Sequence, residues 1–315
     1  MRKYIFIMIV CIIVTAGKAT AQDAIFSQYD VSSLYLNPAF AGLDFGSRVT
    51  LSYRNHPFPD MVGYSSIFAS FDTYQPKLYG GLGLLVLSDN QGALYLRNHI
   101  AGLYAYHLRA DENLYINFGV QAGYYRQDVR WDKLDFTNPN QEPPDQSWRH
   151  SANFAAGILV YNDVFWSGVA VHHLTQPGES IFESQKLQRK FTAHIGFFLE
   201  PGGPGGRGGN EPEYFISPGL LYQQQGEHRR ANIGLHGGID RFLAGAWLRH
   251  DFSRPNAMIF LLGLRFGDYR FGYSYDHSFS GYSDLLHAIH ELTLTISFAG
   301  PEDRGGRRVI RHPGL

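Results

Sequence analysis

Residues 292–298 read Leu292-Thr293-Leu294-Thr295-Ile296-Ser297-Phe298, with an apolar side chain at every second position and only Thr or Ser between. A period of two sends successive side chains to opposite faces of a sheet. The same rhythm recurs outward from this stretch. Phe271, Tyr273 and Tyr275 oppose Gly272, Ser274 and Asp276, while Phe260, Leu262, Leu264 and Phe266 oppose Leu261, Gly263 and Arg265. Further back, Ile116, Phe118, Val120 and Ala122 oppose Tyr115, Asn117, Gly119 and Gln121, and Val49, Leu51 and Tyr53 oppose Thr50, Ser52 and Arg54. One face is nearly pure apolar; the other is rich in Gly and uncharged polar groups. A soluble sandwich alternates too, so the number and length of the strands and the lengths of the loops must decide.

Alternating segments fall near 47–54, 64–74, 79–88, 94–108, 113–130, 151–162, 164–174, 189–199, 213–224, 230–239, 242–250, 257–267, 269–278 and 289–299. Many are longer than the about 5–6 residues usual in globular proteins and match the about 9–11 that a tilted strand needs to cross an outer membrane. Counted from a start in the periplasm, the longest connections, 55–63, 131–150, 175–188 and 279–288, are odd-numbered and face outward. Even-numbered ones are mostly tight, such as Asn162-Asp163 and Gly267-Asp268; the tract 201–210 (PGGPGGRGGN) is an exception and reads as a flexible linker. Tyr104, Tyr106, Tyr124, Tyr125, Tyr273 and Tyr275 near strand ends fit an aromatic girdle. The expected fold is all-β: a transmembrane outer-membrane β-barrel of about fourteen antiparallel strands with long extracellular loops and short periplasmic turns.

Composition agrees. The 315 residues are 44% hydrophobic, 15% aromatic and 17% charged, too rich in apolar groups for a disordered chain. Arg2 and Lys3 precede an apolar run from Tyr4 to Val14 and then Ala19-Thr20-Ala21, the layout of a secretory leader cleaved after Ala21. Cys11, the single cysteine, lies in that leader, so the mature chain has no thiol for disulfides, metal or nucleophilic chemistry. Formal net charge is -1, and losing Arg2, Lys3 and Lys18 makes the mature chain more acidic, so no nucleic-acid partner is expected. Four parts result: 1–21 signal peptide, 22–46 periplasmic or plug segment, 47–299 barrel, and 300–315 basic periplasmic tail.

Several blocks carry a family resemblance. Asp23 to Gly42 (DAIFSQYDVSSLYLNPAFAG) resembles the opening of the PorP/SprF family, with its FxQY and LNPAxAG elements. Leu82 to Gly92, Tyr104 to Leu108, Val171 to Pro177, Gly272 to Asp276 and His290-Glu291-Leu292 match further blocks in family order. The tract 201–210 and the tail with Arg304, Arg307, Arg308 and Arg311 depart from the pattern. The resemblance implies a non-enzymatic outer-membrane component of the type IX secretion system. It also implies partners: periplasmic ring and peptidoglycan-binding subunits, and a secreted cargo such as an adhesin, in connection with gliding motility and adhesin anchoring.

Candidate partner-binding residues are Phe26, Tyr29, Asn37 and Pro38 in the N-terminal segment, and Trp131 and Trp148 at the ends of loop 131–150. The N-terminal segment either plugs the lumen, binds a periplasmic partner or adds a strand to the wall; the loop is a cargo site or a lid. Arg265, Asp276 and Glu291 share the lumenal face and form a candidate charge network, since buried acids are costly unless paired. Catalytic, cofactor and metal patterns are not apparent. His172 and His173, adjacent on a strand, are expected to face opposite ways. His287, His290 and Glu291 read H-x-x-H-E, which is neither zinc pattern, and G-x-S-x-G is lacking. A porin or transporter, which needs an open lumen, and an outer-membrane hydrolase are the alternatives.

Overall fold

The computed structural model describes residues 23–44, 46–58, 61–92, 94–133, 147–178, 186–200, 214–279 and 288–298. The expected leader, the tract 201–210, the basic tail and the middle of loop 131–150 lie outside the described residues. The strands are β1 (Ser47–Phe58), β2 (Met61–Gln75), β3 (Gly80–Gln91), β4 (Tyr95–Asp111), β5 (Leu114–Val129), β6 (Trp148–Tyr161) and β7 (Phe165–His172). They continue as β8 (Lys190–Phe197), β9 (Tyr214–Gln225), β10 (His228–Ile239), β11 (Phe242–His250), β12 (Pro255–Phe266), β13 (Tyr269–Ser278) and β14 (Ala288–Phe298). Each pairs antiparallel with its chain neighbours, and β1 pairs with β14 from Ser47 opposite Phe298 to Asn55 opposite His290, closing the barrel. Closure gives every strand a partner on both sides. In hydrocarbon an open edge would leave backbone groups unpaired at several kcal/mol each.

The alternation in sequence becomes an inside–outside partition. Leu51 and Tyr53, Phe118 and Val120, Phe260 and Leu262, and Leu292 and Phe298 are exposed on the outer wall. Thr50, Ser52, Asn117, Gln121, Ser274, Thr293 and Thr295 point inward and are buried. So wide an apolar exterior belongs against lipid. Two expectations shift. Strand β7 stops at His172, because His173 (φ 58) and Gln176 (φ 46) turn the chain in the left-handed region. Not every connection at the loop end is long either: β9 and β10 are joined by Gly226-Glu227 alone, with Gly226 at φ 59.

The interior is filled by the chain itself. Residues 23–44, which include α1 (Ser33–Leu36) and a 3₁₀ turn over Pro38–Phe40, run inside the wall. Phe26, Leu34, Leu36, Ala39, Phe40, Ala41 and Leu43 form one cluster with Phe68, Leu85, Leu103, Leu159, Trp247 and Leu261 of the wall. Such packing needs apolar patches on an otherwise polar lumenal face, and Leu261, which breaks the polar set of β12, is one of them.

Candidate functional site: the occupied lumen

The segment is held at three levels. Nearest the end that carries Ser47 and Phe298 is the turn 37–43. Asn37 accepts from the Ala39 N–H at 2.9 Å and Pro38 presets the first turn position, a local arrangement these residue types favour. The Asn37 amide also donates to the Ile158 carbonyl at 3.1 Å, the Asn117 amide donates to the Ala39 carbonyl at 3.1 Å, and His107 Nε2 donates to the Ala41 carbonyl at 2.8 Å. Buried backbone that forms no strand thus finds partners on the wall. Close approach depends on lumenal glycines. A Cβ on Gly81 would lie 2.5 Å from Gly42 N, and one on Gly119 2.5 Å from the Ala39 Cα. Below the turn, Asp72 accepts from the Gly42 N–H at 2.9 Å and pairs with Arg48 at 3.0 Å.

Higher in the lumen lies a buried ion cluster. Arg54 of β1 reaches Asp276 Oδ2 at 3.1 Å and Glu291 Oε2 at 3.0 Å, and Arg249 of β11 reaches the same Asp276 oxygen at 3.0 Å. Both carboxylates are wholly shielded from solvent. The N-terminal segment completes their coordination. Ser27 Oγ donates to Asp276 at 2.6 Å, the Ser27 N–H donates to Glu291 at 2.7 Å, and Thr293 donates to Gln28 Oε1 at 2.7 Å. The cluster therefore closes the β1–β14 seam and seats the segment with the same atoms.

At the top, Asp23 Oδ2 meets Lys190 Nζ at 2.7 Å and His173 Nε2 at 2.8 Å, while its N–H donates to Gln225 at 3.0 Å. Burial works against its charge, but His173 and Lys190 outweigh that and hold the carboxyl well below its ordinary range. Asp30 is different. Burial raises it to about 8, and His236 Nδ1, at 3.6 Å, stands beyond hydrogen-bond range. Tyr35 lies under Lys190, whose Nζ is 4.2 Å from the ring centroid.

The expected site residues divide. Phe26, Tyr29, Asn37 and Pro38 are buried in the lumen, with Phe26 at 5.6 Å from Phe68 and Tyr29 edge-on to Trp247 at 4.8 Å. As seated they meet the chain's own wall and offer no surface to a separate partner. Trp148 is exposed and stacks on His150 at 5.1 Å with Arg126 at 5.6 Å; Trp131 opens a 3₁₀ turn at the edge of the loop. Asp276 and Glu291 come together, but Arg265 does not join them. It pairs in register with Arg270, whereas Asp276 pairs with Ile259, a separation of about 20 Å along β12. Alternation indicates which face a residue takes, not its height in the barrel. His172 and His173 do not face opposite ways: the left-handed turn at His173 brings both rings inward, to Leu36 and Asp23 respectively. Among the described residues no group of three His, Cys, Asp or Glu could hold a metal.

Arg54, Arg249, Ser27, Lys190 and Asn117 were not singled out from sequence. For the strand residues the sequence signal is only a charged or amide group on the polar face of an alternating strand, and Ser27 carries none.

The family profile described as "Type IX secretion system membrane protein PorP/SprF" matches residues 18–296. No curated protein matches the chain. Among solved structures, the chain is similar to the Ralstonia pickettii toluene transporter TbuX, at 9% identity over 85% of this chain and 94% of that one, with a TM-score of 0.51. The Acinetobacter baumannii outer membrane protein Omp33 is similar at 8% identity over 81% and 100%, with a TM-score of 0.46. At 9% identity the likeness to TbuX speaks for the fold alone.

Proposed function

Because this chain belongs to the PorP/SprF family of type IX secretion system membrane proteins, we propose that it supports the secretion or surface anchoring of a cargo protein such as an adhesin, without enzymatic activity. The outer membrane is its site, as family and barrel fold require. The observation that supports a docking role over a diffusion pore is the occupied lumen: residues 23–44 pack the interior from Asp72 and Arg48 up to Lys190. In this reading the segment is a plug, the leader is removed after Ala21, and both termini lie in the periplasm. The wall then offers a periplasmic face to the ring and peptidoglycan-binding subunits, and its outer loops, with Trp131 and Trp148 at the rim, to the cargo. Gliding motility follows where the cargo is a motility adhesin. A deletion strain is expected to keep the cargo inside or release it unanchored, with unchanged uptake of small antibiotics. Normal display of every type IX cargo in that strain would defeat the proposal.

A porin or transporter is the second reading. It requires the segment to leave the lumen, which conductance reports directly.

A further inference from the structure

The outer wall differs between its two ends. Arg229 of β10 lies opposite Gln224 and shares the parity of the exposed Ile233, Leu235 and Ile239, so it faces away from the lumen. Ile239, at the other end of the strand, is ten residues away. That is about 33 Å along the strand and about 25 Å of height at a tilt near about 40°, the full depth of a barrel's apolar band. Arg229 thus tops the band where headgroups begin. Arg189, exposed just before β8, stands in the same way above Phe191 and Ile195 of the outer face. With only β9 between their strands, the two arginines are about 12 Å apart. Tyr222 and Phe252 meet edge to face at 5.8 Å on the same outer face, and His250 lies 6.3 Å from Phe252. His150, His277 and His290 carry the girdle further around this end, outward of the buried lumenal Asn153, Asp276 and Glu291. Among the described residues, no carboxylate pairs with Arg189 or Arg229; Glu227 is exposed at the β9–β10 turn, and Asp251 accepts from the Ser253 and Arg254 N–H groups. The turn end contrasts. Its girdle is Tyr79, Phe242, Phe266 and Tyr269, and its arginines have acids beside them: Arg241 pairs with Asp240 at 3.4 Å, and Arg109 shares a turn with Asp111 and Glu112.

We propose that the loop-end face around Arg189 and Arg229 is a binding surface for a phosphate-bearing glycolipid of the outer leaflet. A cation on a lipid-facing wall must reach past hydrocarbon to water or to an anion. Guanidinium forks match phosphate oxygens with parallel N–H donors, and imidazole N–H groups along the girdle add further donors. The spacing of the two arginines lies within the span of one disaccharide headgroup. The partner is a lipid because the apolar wall continues directly below: one molecule sets its phosphate on the arginines and its acyl chains against Phe191 and Ile233. The inference needs only that the loop end faces outward, and it stands apart from the cargo reading above.

The test uses the full mature barrel in neutral detergent, loaded with lipid A, with dephosphorylated lipid A or with phosphatidylglycerol, and counts bound lipid by native mass spectrometry. Lipid A is expected to stay bound and its dephosphorylated form to wash away. Retention should fall by about fivefold for each arginine removed in Arg189→Gln and Arg229→Gln, and should weaken as salt rises. Arg109→Gln and Arg241→Gln, at the turn end, should retain lipid A as the unaltered protein does. All four positions are exposed, and heat-modifiable gel migration checks that each barrel is intact. Undiminished retention in the Arg189→Gln, Arg229→Gln double variant, or equal retention of the dephosphorylated lipid, overturns the proposal. Phosphatidylglycerol held as tightly as lipid A, and lost in the same variant, overturns the assignment to a glycolipid. Displacement of lipid A by excess inorganic phosphate overturns it in favour of a soluble anion.

Discussion

The guanidinium of Arg54 is shared between Asp276 and Glu291, groups more than two hundred residues away in the chain. Removing one partner from a buried pair leaves an uncompensated charge, at about 3–5 kcal/mol. Arg54→Met is therefore expected to destabilise the barrel by about that amount, read as a lower urea midpoint for unfolding from lipid vesicles. Two carboxyls of the plug respond to pH in opposite senses. Asp30, raised to about 8 by burial, holds a proton when seated that it lacks in water above its ordinary range. Its contribution to seating is complete below about pH 4 and lost as pH rises through about 8, by about tenfold per pH unit in between. Asp23, held well below its ordinary range by His173 and Lys190 against the penalty of burial, contributes above about pH 4 and loses that contribution in acid. Maleimide labelling of an Ala39→Cys plug, scaled to the unfolded chain, should accelerate toward alkaline pH, and Asp30→Asn should flatten that limb.

Between strands and plug, the fit depends on which lumenal positions lack a side chain. Gly81 of β3 and Gly119 of β5 sit against the backbone of Gly42 and Ala39, so an added methyl cannot be absorbed by a side-chain rotation. The Gly81→Ala, Gly119→Ala double variant should still close its barrel, since both Cβ atoms point away from the strand pairing, but should unseat the turn 37–43. Faster amide exchange confined to residues 37–43, with strand protection unchanged, would show it; unchanged exchange there would refute the fit. The end of β7 is set in the same local way. His173 at φ 58 leaves the strand and becomes the plug's upper latch, which no rule of alternation anticipates.

Across the whole molecule, the closed wall and the occupied interior make one expectation: the intact protein in a planar bilayer shows no steady conductance. Deleting residues 23–42 should leave the β1–β14 closure in place and open an ion-conducting lumen, because the polar inner face, with Thr50, Ser52, Gln121 and Thr293 among others, would then be wetted. Conductance in the intact protein equal to that of the deletion would show that the segment does not seal.

The alternating runs by themselves determined the fourteen-strand architecture and which side chains meet lipid, since a strand's two faces are set by residue parity and need no knowledge of its neighbours. The tight turn at Gly267-Asp268 and the inward facing of both Asp276 and Glu291 were equally local. Only the tertiary structure decided that Arg54 and Arg249, not Arg265, answer those acids, that the Phe- and Tyr-rich segment before β1 turns inward, and that arginines from β1, β10 and β11 line one cavity. The physical reason is that height along the axis and proximity across the lumen depend on register and closure, which bring together residues from opposite ends of the chain.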